Sequence, residues 1–231
     1  MRGIPSLWQD FLHLFYPHHC CGCGIDLPEM EQLICLRCMH ELPVTHFAGL
    51  TDNPTERLFT GRLPVTAACS YLYFNKEGLA QRLVHELKYK GNKAIGQWLG
   101  EQMGRELLVS GRFTGIDYIL PVPLSAAKEH GRGYNQSAVV CAGINTILSV
   151  PVCTGNLTRH RATATQTHKH REERWENVSG SFTVLQPAVF EYKHLLLVDD
   201  VITTGATLDA CGQVLLAIPG VRLSIATLAC A

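Results

Sequence analysis

Asp199 and Asp200 stand just before Thr203-Thr204-Gly205-Ala206-Thr207, a small, hydroxyl-rich segment with a single glycine. Free backbone N–H groups at a helix start attract anions, and the hydroxyls of Thr203, Thr204 and Thr207 add donors. Gly205 lets the main chain approach an oxyanion with no Cβ in the way. A phosphate lying beside Asp199 and Asp200 would be repelled, so the carboxylates suit another part of a ligand. Vicinal sugar hydroxyls, which donate to carboxylates, fit that part. One loop would then hold a phosphate and a ribose. A plainer reading makes the aspartates helix caps and the threonines turn residues.

A second group is Cys20-x2-Cys23-x11-Cys35-x2-Cys38. Paired Cys-x-x-Cys knuckles separated by a short loop can place four thiolates tetrahedrally around Zn²⁺, with Gly22 and Gly24 easing the first turn. Redox chemistry or two disulfides are the competing readings. A redox pair belongs singly before a helix in a βαβ unit, which is not the setting here. Cys21 is an alternative ligand to Cys20, although it breaks the two-residue gap. Four ligands leave no open coordination position, so such a site is structural.

Cations complete the set. Lys88 falls where a helical pattern ends, favourably placed for the negative end of the dipole, and it is also available to a pyrophosphate. Lys128 and Arg132 occupy the stretch Pro123 to Gln136, read as a loop with two glycines near its end. Arg offers a rigid fork of donors to phosphate oxygens and Lys a mobile point charge. Taken alone, basic loop residues usually serve only to solvate a surface.

These groups need elements to position them. Leu195-Leu196-Leu197-Val198 is short for a helix and suits a strand buried on both faces of a parallel sheet, with the aspartates following it. Leu208, Cys211, Leu215 and Ile218 then fall on a helical stripe that Pro219-Gly220 stops. Ligands in open α/β sheets bind at the carboxyl ends of strands. Strands are also predicted over 65–74, 117–122, 178–185 and 221–229, and helices over 77–89, 93–109 and 136–148. Ser6 to Tyr16 reads as a short amphipathic helix ended by Pro17, and 45–62 as a connector. The polar, histidine-rich stretch from Thr158 to Asn177 has little apolar periodicity.

The run from Leu195 to Thr207 closely resembles the phosphoribosyl pyrophosphate (PRPP) motif of the type I phosphoribosyltransferases. A narrower resemblance covers nearly the whole chain. The four-cysteine module, Lys88-Tyr89-x-Gly91, Pro121-Val122-Pro123-Leu124, Arg132-Gly133-Tyr134-Asn135-Gln136 and the PRPP motif together look like the ComF/GntX family of competence- and DNA-utilisation-related proteins. Arg161 to Gln166, Arg174-x-x-Asn177 and Gly180-Ser181-Phe182 follow that pattern too. Relatives tend to carry His-Pro and more arginines after Pro-Leu, where this chain has Ser125-Ala126 and His130.

The resemblance implies an α/β fold of the type I phosphoribosyltransferase kind, a parallel sheet flanked by helices, with a small N-terminal zinc-binding module. It divides the chain into 1–60, a helix and zinc-ribbon-like module, and 63–231, the phosphoribosyltransferase-type unit. It further implies a pentosyltransferase reaction: displacement at the ribose anomeric carbon, with Mg²⁺-bound pyrophosphate leaving. Asp199, Asp200 and Arg132 are the implied catalytic residues. Lys88, Lys128, Thr203, Thr204, Gly205, Ala206 and Thr207 would bind substrate. The alternative is a catalytically weak ligand-binding or single-stranded-DNA-associated module in DNA uptake, working with competence or DNA-processing proteins. The stretch 159–174 is read first as a cover over bound sugar, then as a solvated loop, and last as a DNA patch with Trp175 as stacking platform.

Composition sets limits. At 231 residues the chain can bury one α/β core with a small module left over. Lysine plus arginine equals aspartate plus glutamate at 20 each, which denies it a global basic field for nucleic acid. No apolar run approaches the roughly 18 residues of a membrane helix, and the N-terminus does not fit a secretory leader. Of ten cysteines, half are scattered singly in apolar sequence, where they act as small hydrophobes, and a reducing cytoplasm is expected.

Overall fold

The computed structural model describes residues 18–28, 32–160 and 181–231. The helix expected over Ser6 to Tyr16 and most of the stretch 159–174 lie outside them. Four strands, β1 (Ala67–Tyr73), β2 (Tyr118–Pro121), β5 (His194–Ile202) and β6 (Arg222–Cys230), form one sheet in the order β1-β6-β5-β2. Every pairing in it is parallel. Strand β5 is one of the two inner strands, and its run of apolar residues feeds two cores. Leu196 and Val198 join one hydrophobic cluster, and Leu195 and Leu197 the other, because successive side chains leave a strand on opposite faces.

Helices α3 (Leu79–Tyr89), α4 (Lys93–Ser110) and α6 (Gln136–Leu148) cover the first face. Helix α7 (Ala206–Leu216) covers the second with Leu208, Cys211 and Leu215. The expected parallel α/β sheet with flanking helices is therefore present, with a four-cysteine module at its N-terminal end. A hairpin of β3 (Leu157–Arg159) and β4 (Phe182–Val184) is antiparallel and separate from the main sheet. Its first strand falls where the sequence shows no apolar alternation.

Two helices of the first face meet backbone to backbone. A Cβ on Gly100 of α4 would lie 2.2 Å from the Val140 carbonyl oxygen of α6, and one on Gly143 of α6 would lie 2.1 Å from that of Gln97. Only hydrogen fits at those positions.

Two stretches differ from expectation. Residues Ala126–Arg132 form a helix, α5, where a loop is predicted. Ser125 precedes it in extended conformation, good helix formers fill its first turn, and Gly133 closes it at φ +75°, a left-handed conformation that costs glycine nothing. The stretch 45–62 is built into the α/β unit rather than merely connecting to it. Asn53 caps a short helix, α2 (Pro54–Arg57), and also donates from Nδ2 to the carbonyl of Ala68 on β1 at 2.8 Å. The Thr45 hydroxyl donates to the Ser70 carbonyl, and Thr55, Ser70 and Thr227 link their hydroxyls through the sheet. Glu56 accepts from Ala68 N–H and pairs with Arg112 at 2.6 Å.

Candidate functional site: a carboxylate pair beside a helix N-terminus, and a four-thiol module

Asp199 and Asp200 lie within β5, not beyond it, and Asp199 stands in register with Thr227 of β6. The strand runs on through Val201 and Ile202, then turns at Thr203 and Thr204 into Gly205. Gly205 takes φ +75° as the N-cap of α7, and its carbonyl accepts from Asp209 N–H at 2.8 Å. A cavity of about 70 Å³ opens there, lined by Asp199, Val201, Ile202 and the run Thr203 to Leu208. Asp199 and the threonine-rich helix start thus face one small space, whereas Asp200 turns to Lys88.

The loop is braced from behind by residues that the sequence reading assigned to the connector. Phe59 lies under Gly205, where a Cβ would meet its ring at 3.3 Å. Arg62 donates to the Thr204 carbonyl at 3.3 Å and pairs with buried Asp209 at 3.0 Å.

Asp199 is held at Oδ1 by the backbone N–H of Asp200 at 2.8 Å and by the hydroxyl of Ser137 at 3.1 Å. Burial and the neighbouring charge of Asp200 nevertheless push its carboxyl up to about 7, against the pull of those donors and of Lys88. Asp200 has the better partner: Lys88 Nζ reaches its Oδ2 at 2.9 Å, with both side chains largely shielded. The helix end that carries Lys88 is fixed by the Tyr134 hydroxyl, which donates to the Leu87 carbonyl.

Arg132 lies at the same corner. Its guanidinium sits 5.5 Å from the centroid of the exposed Tyr89 ring and donates to Gln136 Oε1 at 2.7 Å. Lys128 is exposed on α5, one turn earlier, and makes no ion pair among the described residues. The structure therefore gathers Asp199, Asp200, Lys88 and the Thr203–Thr207 loop, sets Arg132 against the next residue after Lys88, and leaves Lys128 in solvent. Ser137 was not singled out in the sequence, although Asn135 directly before a helix is the signal: it caps α6 through Ser137 N–H and donates to Val122.

The second group closes as expected. The Sγ atoms of Cys20, Cys23, Cys35 and Cys38 all lie within 4.8 Å of one another, and those of Cys23 and Cys35 are 3.6 Å apart. Zn–S bonds of about 2.3 Å in a tetrahedron require sulfur separations of about 3.8 Å, so the donor set fits Zn²⁺. Backbone N–H groups of Cys35 and Gly22 point at Cys20 Sγ, and that of Cys38 at Cys35 Sγ. Burial alone would raise the Cys20 thiol, but these donors outweigh it and hold it at about 6, on the way to the thiolate a metal needs. Cys21 lies outside the cluster and accepts from Asn92 instead. All ten cysteines are free thiols.

The sheet edge at the carboxyl end of β5, here called the crest, carries a polar site, and with the metal-type knuckle it defines a parallel α/β protein. No protein-family model matches the chain. Over 137 residues, 58% of its length, it is 36% identical to the DNA utilization protein YhgH of Salmonella typhi and spans 60% of that protein. It is 34% identical to YhgH of Escherichia coli K12 over the same extent. Over 98 residues it is 34% identical to Competence protein F of Haemophilus influenzae, covering 42% of this chain and 43% of that one. The chain is thus similar, over 98 to 137 residues, to proteins named for competence and DNA utilisation, which is the resemblance its motifs carry.

Solved structures that overlay on it include the glutamine PRPP amidotransferase from B. subtilis complexed with ADP and GMP. That overlay has 20% identity and TM-score 0.39, covering 56% of this chain and 25% of that one. An adenine phosphoribosyltransferase overlays at 17% identity and TM-score 0.38, covering 59% and 72%. Among the described residues no helix is long and apolar enough to cross a membrane.

Proposed function

We propose that this chain binds PRPP with Mg²⁺ and transfers or handles its phosphoribosyl group, releasing pyrophosphate, in the cytoplasm. The observation that carries the reading is the meeting of the Asp199–Asp200 pair, Lys88 and the Thr203–Thr207 helix start at the carboxyl end of β5. In this proposal the N–H groups and hydroxyls of Thr203 to Thr207 bind the 5′-phosphate, and Gly205 supplies the left-handed turn at φ +75° that presents them. Asp199 and Asp200 accept from the ribose hydroxyls, and their negative charge favours positive charge developing at the anomeric carbon. Lys88 leaves Asp200 for the pyrophosphate, and Arg132 and Lys128 approach the same leaving group.

Mg²⁺, a hard cation that prefers oxygen ligands, would enter with the diphosphate and neutralise its charge. Zn²⁺ would be held by Cys20, Cys23, Cys35 and Cys38 as a structural ion. The same proposal divides the chain at about residue 60, with the last part of the first segment laid along β1.

A second reading follows from the relatives' names: a ligand-sensing module in DNA uptake or use, acting through protein partners or on single-stranded DNA. Calorimetry with PRPP and Mg²⁺ tests the shared step, and pyrophosphate release over a panel of acceptors separates the two. Asp200→Asn, which keeps size but removes charge, should weaken PRPP about ten- to a hundredfold, since hydrogen bonds to charged groups contribute roughly 1.5–3 kcal/mol. Gly205→Val should damage binding of PRPP and ribose 5-phosphate alike. No binding by the unaltered chain, or normal binding by both variants, would refute the assignment.

A further inference from the structure

The four-cysteine module and the α/β crest are joined by one helix. At its start, Arg82 Nε donates to the carbonyl of Gly22, between Cys20 and Cys23, at 2.6 Å. The contact is close: a Cβ on Gly22 would come within 2.6 Å of Leu79 Cδ1 and 2.8 Å of Cys38 Sγ. Beyond its end, Asn92 Nδ2 donates to Cys21 Sγ at 3.3 Å, while Asn92 Oδ1 accepts from Ile95 N–H and so caps α4. Both ends of the segment from Leu79 to Asn92 are therefore tied to the knuckle that holds the thiols. Lys88, on the last turn between those ties, is the residue that reaches Asp200.

We propose that the four-cysteine module, through Arg82 and Asn92, sets the position of Lys88 over Asp200, so that zinc occupancy and anion binding at the crest are linked. Arg82 and Asn92 are positioning residues: neither touches the carboxylate pair in a described contact, and each acts through α3. Loss of zinc frees the Cys20–Cys23 knuckle, and with it the carbonyl and the sulfur that anchor the helix. Linkage is reciprocal, so a ligand that engages Lys88 must hold zinc more tightly by the factor by which zinc tightens the ligand. This inference rests on the PRPP reading for its choice of ligand, but not for the movement of the helix.

The test uses the full chain, loaded with zinc and stripped of it. Zinc removal should weaken PRPP binding at least about fivefold, the lower end of ordinary coupling factors. PRPP with Mg²⁺ should slow zinc transfer to the chelator 4-(2-pyridylazo)resorcinol by a like factor. The double variant Arg82→Ala, Asn92→Ala keeps all four thiols and should still bind one zinc, yet lose both effects. Arg82→Lys, which can still donate to the Gly22 carbonyl, should restore part of them. Amide hydrogen exchange over 85–92 should rise when zinc is removed. Unchanged exchange there overturns the inference whatever PRPP does. PRPP binding that is intact and indifferent to zinc overturns it while leaving the functional reading in place. Absence of PRPP binding together with zinc-dependent exchange refutes the functional reading and upholds the helix linkage.

Discussion

Asp199 is a carboxylate whose charge the fold resists, and replacing it by asparagine measures that resistance. Its carboxyl lies at about 7, through burial first and the charge of Asp200 second, against an ordinary value of 3.8. That is a rise of about 3 units, and at about 1.36 kcal/mol per unit the ionised carboxylate costs the folded chain at most about 4 kcal/mol. Below about pH 4 both folded and unfolded chains carry the proton, and the cost vanishes. Between about pH 4 and 7 the folded chain keeps a proton the unfolded one has lost, so stability falls as pH rises; above about 7 the full cost applies. Asparagine retains a carbonyl oxygen to accept from Asp200 N–H and Ser137, but has nothing to ionise. Asp199→Asn should therefore gain about 1–4 kcal/mol over the unaltered chain at pH 8, and about a quarter of that at pH 4.5, where part of the unfolded chain still carries the proton. With about 2–4 °C per kcal/mol for a chain of this size, thermal unfolding at pH 8 should rise by about 2–16 °C. PRPP affinity should fall in the same variant, as expected where a binding site holds charge at the expense of stability. A gap in melting temperature that is equal at the two pH values, or a variant less stable at pH 8, would refute the argument.

Three further outcomes follow from other contacts. Lys88→Met removes the partner of Asp200 while keeping an apolar stem, so the chain should lose about 1–3 kcal/mol in urea unfolding at pH 7, less than a fully buried pair would cost. Cys35→Ser should take zinc content from about one ion per chain to none by metal analysis, with thiols still free, since three thiolates leave the tetrahedron open. Gly100→Ala reverses an ordinary sign: in an exposed helix that change gains about 1 kcal/mol, but here the methyl meets the Val140 carbonyl and denaturant unfolding should show a loss of about 1–3 kcal/mol.

The organising strand was legible because four apolar residues in a row, bounded by charge and a glycine loop, fit few other structures. Its true end was not. Asp199 and Asp200 continue the ladder because Thr227, Ala229 and Cys230 on β6 offer partners, and no local pattern reports a neighbour strand. The apolar spacing of Leu79, Leu83 and Leu87, and of Ile95, Leu99 and Met103, gave two helices nearly to their ends. Helix α5 escaped because two glycines and several charges make a short helix look like a loop. The stretch 45–62 escaped for a different reason: Asn53, Thr45 and Thr55 look like turn residues, and only tertiary contacts with β1 turn them into fastenings. Of the candidate site, the types and the loop were readable, whereas the pairing of Lys88 with Asp200 joins residues far apart in the chain. The cysteine spacing, a local matter, predicted its cluster and left only the choice between Cys20 and Cys21 to the fold.

The glycine contact between α4 and α6 has a mechanical meaning. Side chains between helices normally act as a soft layer, changing rotamer to absorb a shift. Here carbonyl oxygen and Cα meet with nothing between them, so a push on one helix is delivered to the other undiminished. Helix α6 begins at the hydrogen bond from Ser137 to Asp199, and α4 begins at the cap formed by Asn92. With backbone against backbone at that seam, hydrostatic pressure should compress other parts of the molecule first and leave the spacing between these two helices nearly constant.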